Sequence, residues 1–222
     1  MRYLYRDQSA KGGFVLFSST LIALLLCILW LSFAPETTTE QGWVVIFMLL
    51  LLGAFVGYSK LTEPFYAVEL SPQGIHYHHR RGSWLLPWHC VSYVSVPSVA
   101  GQGELAYVGF KVTDYDEFLQ CLPLRLAVKL MVEQRHILLA GLRQNCPSGT
   151  CASSMLLEHT EFTTKKSHYS GVRAMFAHRM QHLSQLLGAE LYIPIQVLPV
   201  DAAEFCRTVN QSRLIYLKKT PT

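Results

Sequence analysis

The stretch GIHYHHRRGSWLLPW, residues 74–88, decides how the sequence is expected to fold. Its first residue, Gly74, ends the segment SPQG (residues 71–74), in which proline and glycine stand where β-turns favour them. Its two halves are joined by the tight turn Arg81-Gly82-Ser83. Both halves contain residues typical of strands, and Pro87 is typical of a strand edge or a bulge. The stretch therefore predicts a β-hairpin that follows a first strand at residues 65–70.

The rest of the chain changes from strand patterns to helix patterns after about residue 113. We predict that residues 62–222 form an α+β domain built on a mostly antiparallel sheet, with helices packed against it. Further strands are expected at residues 84–96, 105–113, 155–163 and 191–198. Helices are expected at 114–122, 124–142 and 171–187, with a last helix capped by Asp201.

Two uncharged segments precede this domain. Residues 14–33 form an apolar run without a charge, and residues 43–58 form a second run that Leu61 extends. A helix needs about 20 apolar residues to cross the hydrocarbon core of a bilayer. The sequence therefore predicts a transmembrane helical hairpin in residues 1–61, with helices at about 14–33 and 43–60.

Basic residues flank this hairpin on one side only. The loop at residues 34–42 contains Glu36 and Glu40 and no lysine or arginine, and cytoplasmic flanks of membrane helices are enriched in basic residues. We therefore predict a multi-pass protein with both termini in the cytoplasm. The basic flanking residues are Arg2, Arg6, Lys11, Lys60, Arg80 and Arg81.

The histidines near the hairpin suggest a metal site as one interpretation. His76 and His78 share one face of a strand, and His89 follows the hairpin. In a regular strand Cys90 would face away from His89, and no carboxylate is near in sequence to orient the imidazoles. We therefore favour a solvated polar face. The alternative is a small membrane-anchored metal-dependent enzyme or sensor that uses His76, His78 and His89.

The hairpin tip is also basic and lies close in sequence to the membrane segments. Lysine and arginine gain about 1 kcal/mol each near an anionic leaflet, and aromatic rings favour the headgroup region. The predicted membrane-proximal or partner-binding residues are His78, His79, Arg80, Arg81 and Trp84.

The sequence contains no motif for phosphate binding, dinucleotide binding, a nucleophile elbow or a zinc protease. We predict no catalytic residue and no cofactor, so the protein is not expected to be an enzyme. The net charge of +4 is dispersed along the chain, which argues against nucleic acid as a partner. Cys146 and Cys151 have a spacing that zinc tolerates, but a second pair is missing.

The whole pattern resembles membrane-anchored bacterial proteins with a pleckstrin-homology-like (PH-like) domain. The chain, including YVGFKVTDYDEFLQCLPLRLAVKLMVEQRHILL, also resembles a gammaproteobacterial family of two-helix membrane proteins, known as a domain of unknown function. The resemblance implies an inner-membrane protein with a non-catalytic cytoplasmic domain that binds a protein partner or anionic lipid headgroups. The long helix at 124–142 departs from a minimal PH-like domain, which has one C-terminal helix. The residues that match the PH-like pattern are Leu70, Gly74, Ile75, Leu86, Pro87, Trp88, Val91 and Val94.

Overall fold

The computed structural model describes residues 3–6, 12–33, 40–61, 66–99, 101, 103–145 and 159–219. The chain divides into two compact units. One unit is Asp7–Phe65, and the other joins Met1–Arg6 to Tyr66–Thr222. The first residues of the chain therefore belong with the sheet domain, which the sequence did not predict.

The first unit is the expected pair of apolar helices, α1 (Gly13–Phe33) and α2 (Glu40–Leu61). Each is long and apolar enough to cross a membrane, and both helices expose many large apolar side chains. The helices pack against each other through two glycines of α2. A Cβ atom at Gly57 would lie 2.8 Å from the Phe17 backbone, and one at Gly53 would lie 2.7 Å from Cγ2 of Thr20. The Gly-x-x-x-Gly spacing thus permits close packing of two helix backbones.

Substitution of Gly57 by leucine is expected to weaken the pairing of α1 and α2. The new side chain would meet main-chain atoms of Phe17, which cannot move aside as a flexible side chain can. We expect a loss of about 1–3 kcal/mol, seen as a lower unfolding temperature of the full chain in detergent. Val56→Leu is the control, because Val56 is exposed. Equal unfolding temperatures for the two variants would contradict the glycine contact.

The second unit contains two main antiparallel sheets. The first has the strand order β1-β2-β3-β4, and the second has the order β11-β8-β5. Two short pairs, β6-β7 and β9-β10, complete the strands of the described residues. The strands are β1 (Tyr3–Arg6), β2 (Tyr66–Leu70), β3 (Gly74–His79), β4 (Gly82–Pro87), β5 (Val91–Ser95), β6 (Ser98–Val99), β7 (Gly103–Glu104), β8 (Tyr107–Val112), β9 (Glu161–Thr163), β10 (His168–Ser170) and β11 (Leu191–Pro194).

In the described part of this unit, five helices accompany these sheets. They are α3 (Tyr115–Cys121), α4 (Leu124–Glu133), α5 (Arg135–Asn145), α6 (Val172–Leu187) and α7 (Ala202–Lys219). The unit is thus the mixed helix and antiparallel-sheet domain that the sequence predicts. The helix α7 packs on β5, where the Asn210 side chain both donates to the carbonyl and accepts from the N–H of Val94.

The predicted hairpin of residues 74–88 is β3 and β4, with His79 opposite Gly82 and Gly74 opposite Pro87. Gly74 is required because a Cβ atom there would lie 2.3 Å from the carbonyl oxygen of Leu86. Trp84 packs edge-on against Phe110 of the second sheet and Phe118 of α3. The hairpin therefore carries part of the core that joins both sheets to α3.

Three predicted elements are interrupted or end early. The helix expected at 124–142 is interrupted at Gln134, where the backbone has φ −87° and ψ 3°, and the buried Gln134 side chain donates from Nε2 to the Tyr192 carbonyl at 2.9 Å. The strand expected at 84–96 is broken after Pro87 by a 3₁₀ turn, Trp88–Cys90. The strand expected at 191–198 likewise ends at Pro194, where a second 3₁₀ turn, Ile195–Val197, begins.

The sheet domain should fold without the helical unit if β1 is kept. Arg6 pairs with Tyr66, so a short Asn-Gly linker can replace residues 7–65 and close β1 and β2 as a hairpin. We expect this linked domain to be soluble and folded. Tyr5 is buried and meets Phe205 edge-on at 5.1 Å, so Tyr5→Ala should lower the free energy of unfolding by about 3 kcal/mol.

Urea denaturation followed by circular dichroism measures this difference. Tyr3→Ala is the matched control, because Tyr3 lies in the same strand and is exposed. If both variants lose the same stability, β1 is not anchored through Tyr5.

Candidate functional site

The site begins with the pairing of β5 and β8. Because these strands are antiparallel, the residues before β5 lie beside the residues after β8. Val91 stands opposite Val112, and the Thr113 N–H donates to the Cys90 carbonyl at 2.8 Å. The Trp88–Cys90 turn therefore lies against the start of α3.

Three potential ligand side chains meet there and form what we call the His89–Cys90–Glu117 cluster. His89 Nε2 lies 2.6 Å from Glu117 Oε2, and the Cys90 thiol donates to the same oxygen at 3.1 Å. The three ligand atoms lie within 4.8 Å of one another. Adjacent residues can converge because a 3₁₀ turn rotates about 120° per residue, whereas a strand alternates. Cys90 is buried, while the His89 and Glu117 side chains are 62% and 52% exposed.

The surroundings of the cluster are acidic. Asp114 caps α3 by accepting a hydrogen bond from the Asp116 N–H at 2.9 Å, and its other oxygen pairs with Lys166. The hydrogen bond from Lys166, followed by that from the Asp116 backbone, lowers the pKa of Asp114. Asp114 is therefore an anion at neutral pH, beside the cluster that contains Glu117.

The cluster does not activate its thiol. Burial, followed by the hydrogen bond to Glu117, raises the pKa of Cys90 to about 12. A nucleophilic cysteine needs a lowered pKa or an adjacent base. In this arrangement a carboxylate holds the proton on sulfur, so the geometry does not define a cysteine nucleophile.

The three histidines considered as an alternative metal site, His76, His78 and His89, do not come together. The rings of His76 and His78 stack on β3 at 6.2 Å, and His78 lies 3.7 Å from Glu69 of β2. His89 instead pairs with Glu117 of α3. The hypothesis that His76, His78 and His89 converge is wrong, because Pro87 ends β4 and the following turn directs His89 towards α3. Cys146 and Cys151 lie outside the described residues.

The predicted surface residues divide into two groups. Trp84 is only 3% exposed, so its assignment as a contact residue is wrong; it alternates inward with Leu86 on β4. Arg80 and Arg81 are exposed at the hairpin tip, as a binding surface requires. His79 connects this tip to α4, because its Nδ1 accepts from the Arg81 N–H and its Nε2 lies 3.7 Å from Glu133.

The outer side of α4 continues this surface. Leu124, Val128 and Val132 are 50%, 45% and 65% exposed, and their spacing of four places them along one side of the helix. A Cβ atom at Gly82 would lie 3.3 Å from Pro123, so the tip adjoins the start of α4. We call this surface the hairpin–α4 face. It comprises Arg80, Arg81, Leu124, Arg125, Val128, Lys129 and Val132.

Sequence reasoning missed two features of these sites. Glu117 follows His89 by 28 positions and Cys90 by 27, and local spacing does not reveal contacts between residues so far apart. The apolar stripe of the hairpin–α4 face had a signal, because residues 124, 128 and 132 repeat every four positions opposite buried Leu126 and Leu130.

The fold and these sites define a class of protein: two apolar helices inserted into an α+β domain that has a basic-apolar surface and a histidine–cysteine–glutamate cluster. The chain belongs to a family described as a protein of unknown function, DUF2982, whose model matches residues 68–214. The matched segment contains both sites and lies entirely after the two apolar helices. No curated protein and no solved structure matches the chain.

Alkylation tests the state of the thiol. Because a pKa of about 12 leaves roughly a thousandfold less thiolate than the ordinary value of 9, Cys90 should react with iodoacetamide far more slowly than exposed Cys121 at pH 8. Peptide mass spectrometry of the folded chain measures both rates. Glu117→Gln removes the carboxylate and should speed the reaction of Cys90. Equal rates for Cys90 and Cys121 would contradict a buried, protonated thiol.

Proposed function

We propose that the protein is a membrane-anchored, non-catalytic binding protein whose sheet domain associates with an anionic lipid surface through the hairpin–α4 face. One observation carries the proposal: the hairpin tip, where Arg80 and Arg81 are exposed, adjoins the start of α4, and this helix has an exposed apolar stripe. Peripheral helices that bind anionic membranes combine these two features. A protein partner is the outcome that the experiment below would favour if lipid binding fails.

The membrane anchor in this proposal is the pair α1 and α2. Strands β1 and β2 flank the two helices in sequence and pair with each other. A single crossing would place these strands on opposite sides of a membrane, so their pairing favours two crossings. With basic residues on both flanks, we propose a bacterial inner-membrane protein with both termini in the cytoplasm.

The proposed PH-like character of the domain has support in the order of its elements. The four-stranded sheet β1–β4 is followed by the three-stranded sheet of β5, β8 and β11, and α7 comes last. Helices α3 to α6 then form an addition between β8 and β11. In this interpretation α7 is the single C-terminal helix that the PH-like resemblance requires.

The strength of the proposed lipid contact follows from its charges. Arg80 and Arg81 would contribute about 1 kcal/mol each near an anionic leaflet. The charge of Lys129 is partly offset, because its Nζ lies 3.1 Å from Glu133.

Vesicle co-sedimentation of the linked domain tests the proposal. Binding should be measurable with vesicles that contain phosphatidylglycerol, should decrease as salt increases, and should be weak with phosphatidylcholine alone. The double variant Arg80→Ala/Arg81→Ala removes about 2 kcal/mol, which corresponds to roughly 30-fold weaker binding. Val132→Ser should weaken binding with no change in charge.

The matched control is Arg207→Ala/Lys218→Ala, which removes the same charge from exposed positions of α7. This control should bind almost as well as the parent protein. If it loses as much affinity as the hairpin variant, the binding depends on net charge and the hairpin–α4 face is not the site. If the parent binds neither vesicle, lipid is excluded and a protein becomes the partner to seek.

A further inference from the structure

We infer that the His89–Cys90–Glu117 cluster binds a transition-metal ion of the zinc class. This site is independent of the proposed lipid contact, because it uses none of the residues of the hairpin–α4 face. It also differs from the alternative histidine site considered from the sequence, since only His89 is common to both.

The distances suit a metal after small side-chain movements. Zinc binds imidazole nitrogen and carboxylate oxygen at about 2.0–2.2 Å and thiolate sulfur at about 2.3 Å, so tetrahedral ligand atoms lie about 3.3–3.6 Å apart. The nitrogen–oxygen distance of 2.6 Å and the sulfur–oxygen distance of 3.1 Å are shorter than this by less than 1 Å. Rotation of the exposed Glu117 and His89 side chains can open these distances.

The donor types indicate which metal is bound. A thiolate with an imidazole and a carboxylate suits zinc and related ions, whereas magnesium and calcium prefer oxygen ligands alone. The three side chains fill three tetrahedral positions. Because His89 and Glu117 are more than half exposed, the fourth position would be open to water or to an external ligand.

The backbone holds the ligands in place before a metal arrives. Cys90 is fixed by the hydrogen bond from Thr113 to its carbonyl, and the hydroxyl of Thr113 donates to the carbonyl of His89 at 3.3 Å. Glu117 lies in the first turn of α3, whose start is fixed by the Asp114 cap. Such preorganised elements reduce the entropy lost when a metal is bound.

Metal binding exchanges a proton for the ion. Cys90 would lose its thiol proton to solvent and bind as thiolate, and His89 would bind through the lone pair of neutral Nε2. Glu117 would exchange its two hydrogen bonds for a bond to the metal. The nearby charged groups are Asp114, Lys166 and the buried Asp116, which leave the surroundings net negative. Because a proton is released, affinity should increase with pH.

Cobalt titration of the full chain in detergent tests this inference. Cobalt(II) substitutes for zinc and gives a charge-transfer absorption band when thiolate binds it. We expect this band to appear at one equivalent, to disappear when zinc is added, and to be absent in Cys90→Ser. Glu117→Gln should weaken cobalt binding at least about tenfold, and this exposed position keeps the test valid if the buried serine impairs folding.

Two controls separate the cluster from other thiols. Cys146→Ser/Cys151→Ser removes the other closely spaced cysteines of the sequence, and Cys121→Ser removes an exposed one. Both should retain the cobalt band with unchanged affinity. A band that survives Cys90→Ser, or a full chain that takes up neither cobalt nor zinc, would overturn the inference. Either result leaves the vesicle experiment unaffected.

Discussion

The antiparallel pairing of β5 with β8 is the constraint on which the sheet domain depends. It forms the centre of the second sheet, with β11 on the other edge of β8. A buried carboxylate holds the end of β8 in place: Glu190 accepts from the Val112 N–H at 2.7 Å and from Lys111 Nζ at 2.9 Å. A buried charge is tolerated only when it is paired in this way. The end of β8 is thereby fixed, and so is the start of α3.

Much of this fold could be predicted because its signals are local. The two apolar helices, the hairpin at residues 74–88 and the Asp114 cap each depend on a few neighbouring residues. The end of α6 is another example, because Gly188 adopts the left-handed conformation expected of a C-terminal cap. By contrast, β1 has only four residues, and its partner β2 follows some sixty positions later. No local pattern predicts such a pairing.

The candidate cluster shows why sites are harder to predict than elements. A single strand over residues 84–96 would place His89 and Cys90 on opposite faces of the sheet. The sequence therefore argued against a metal site that contains both side chains. Pro87 was recognised as a possible interruption, but the conformation that follows it decides which side chains converge. The 3₁₀ turn after Pro87 and the contact of its side chains with Glu117 both depend on tertiary structure. Trp84 was misplaced for a related reason, since its neighbouring arginines suggested exposure while strand alternation with Leu86 required burial.

A surface with low affinity for lipid can still orient a domain when a membrane anchor holds that domain close to the bilayer. On the proposed function, Arg80 and Arg81 with a short apolar stripe supply only a few kcal/mol, too little for stable attachment of a free protein in solution. Anchoring by α1 and α2 changes this, because the domain then meets the bilayer at a high effective concentration. A surface with low affinity would therefore be sufficient to determine which side of the domain lies against the lipid. The opposite side would remain exposed to the solvent. In this proposal the α4 stripe and the hairpin arginines would set that orientation, and the helices would supply the attachment.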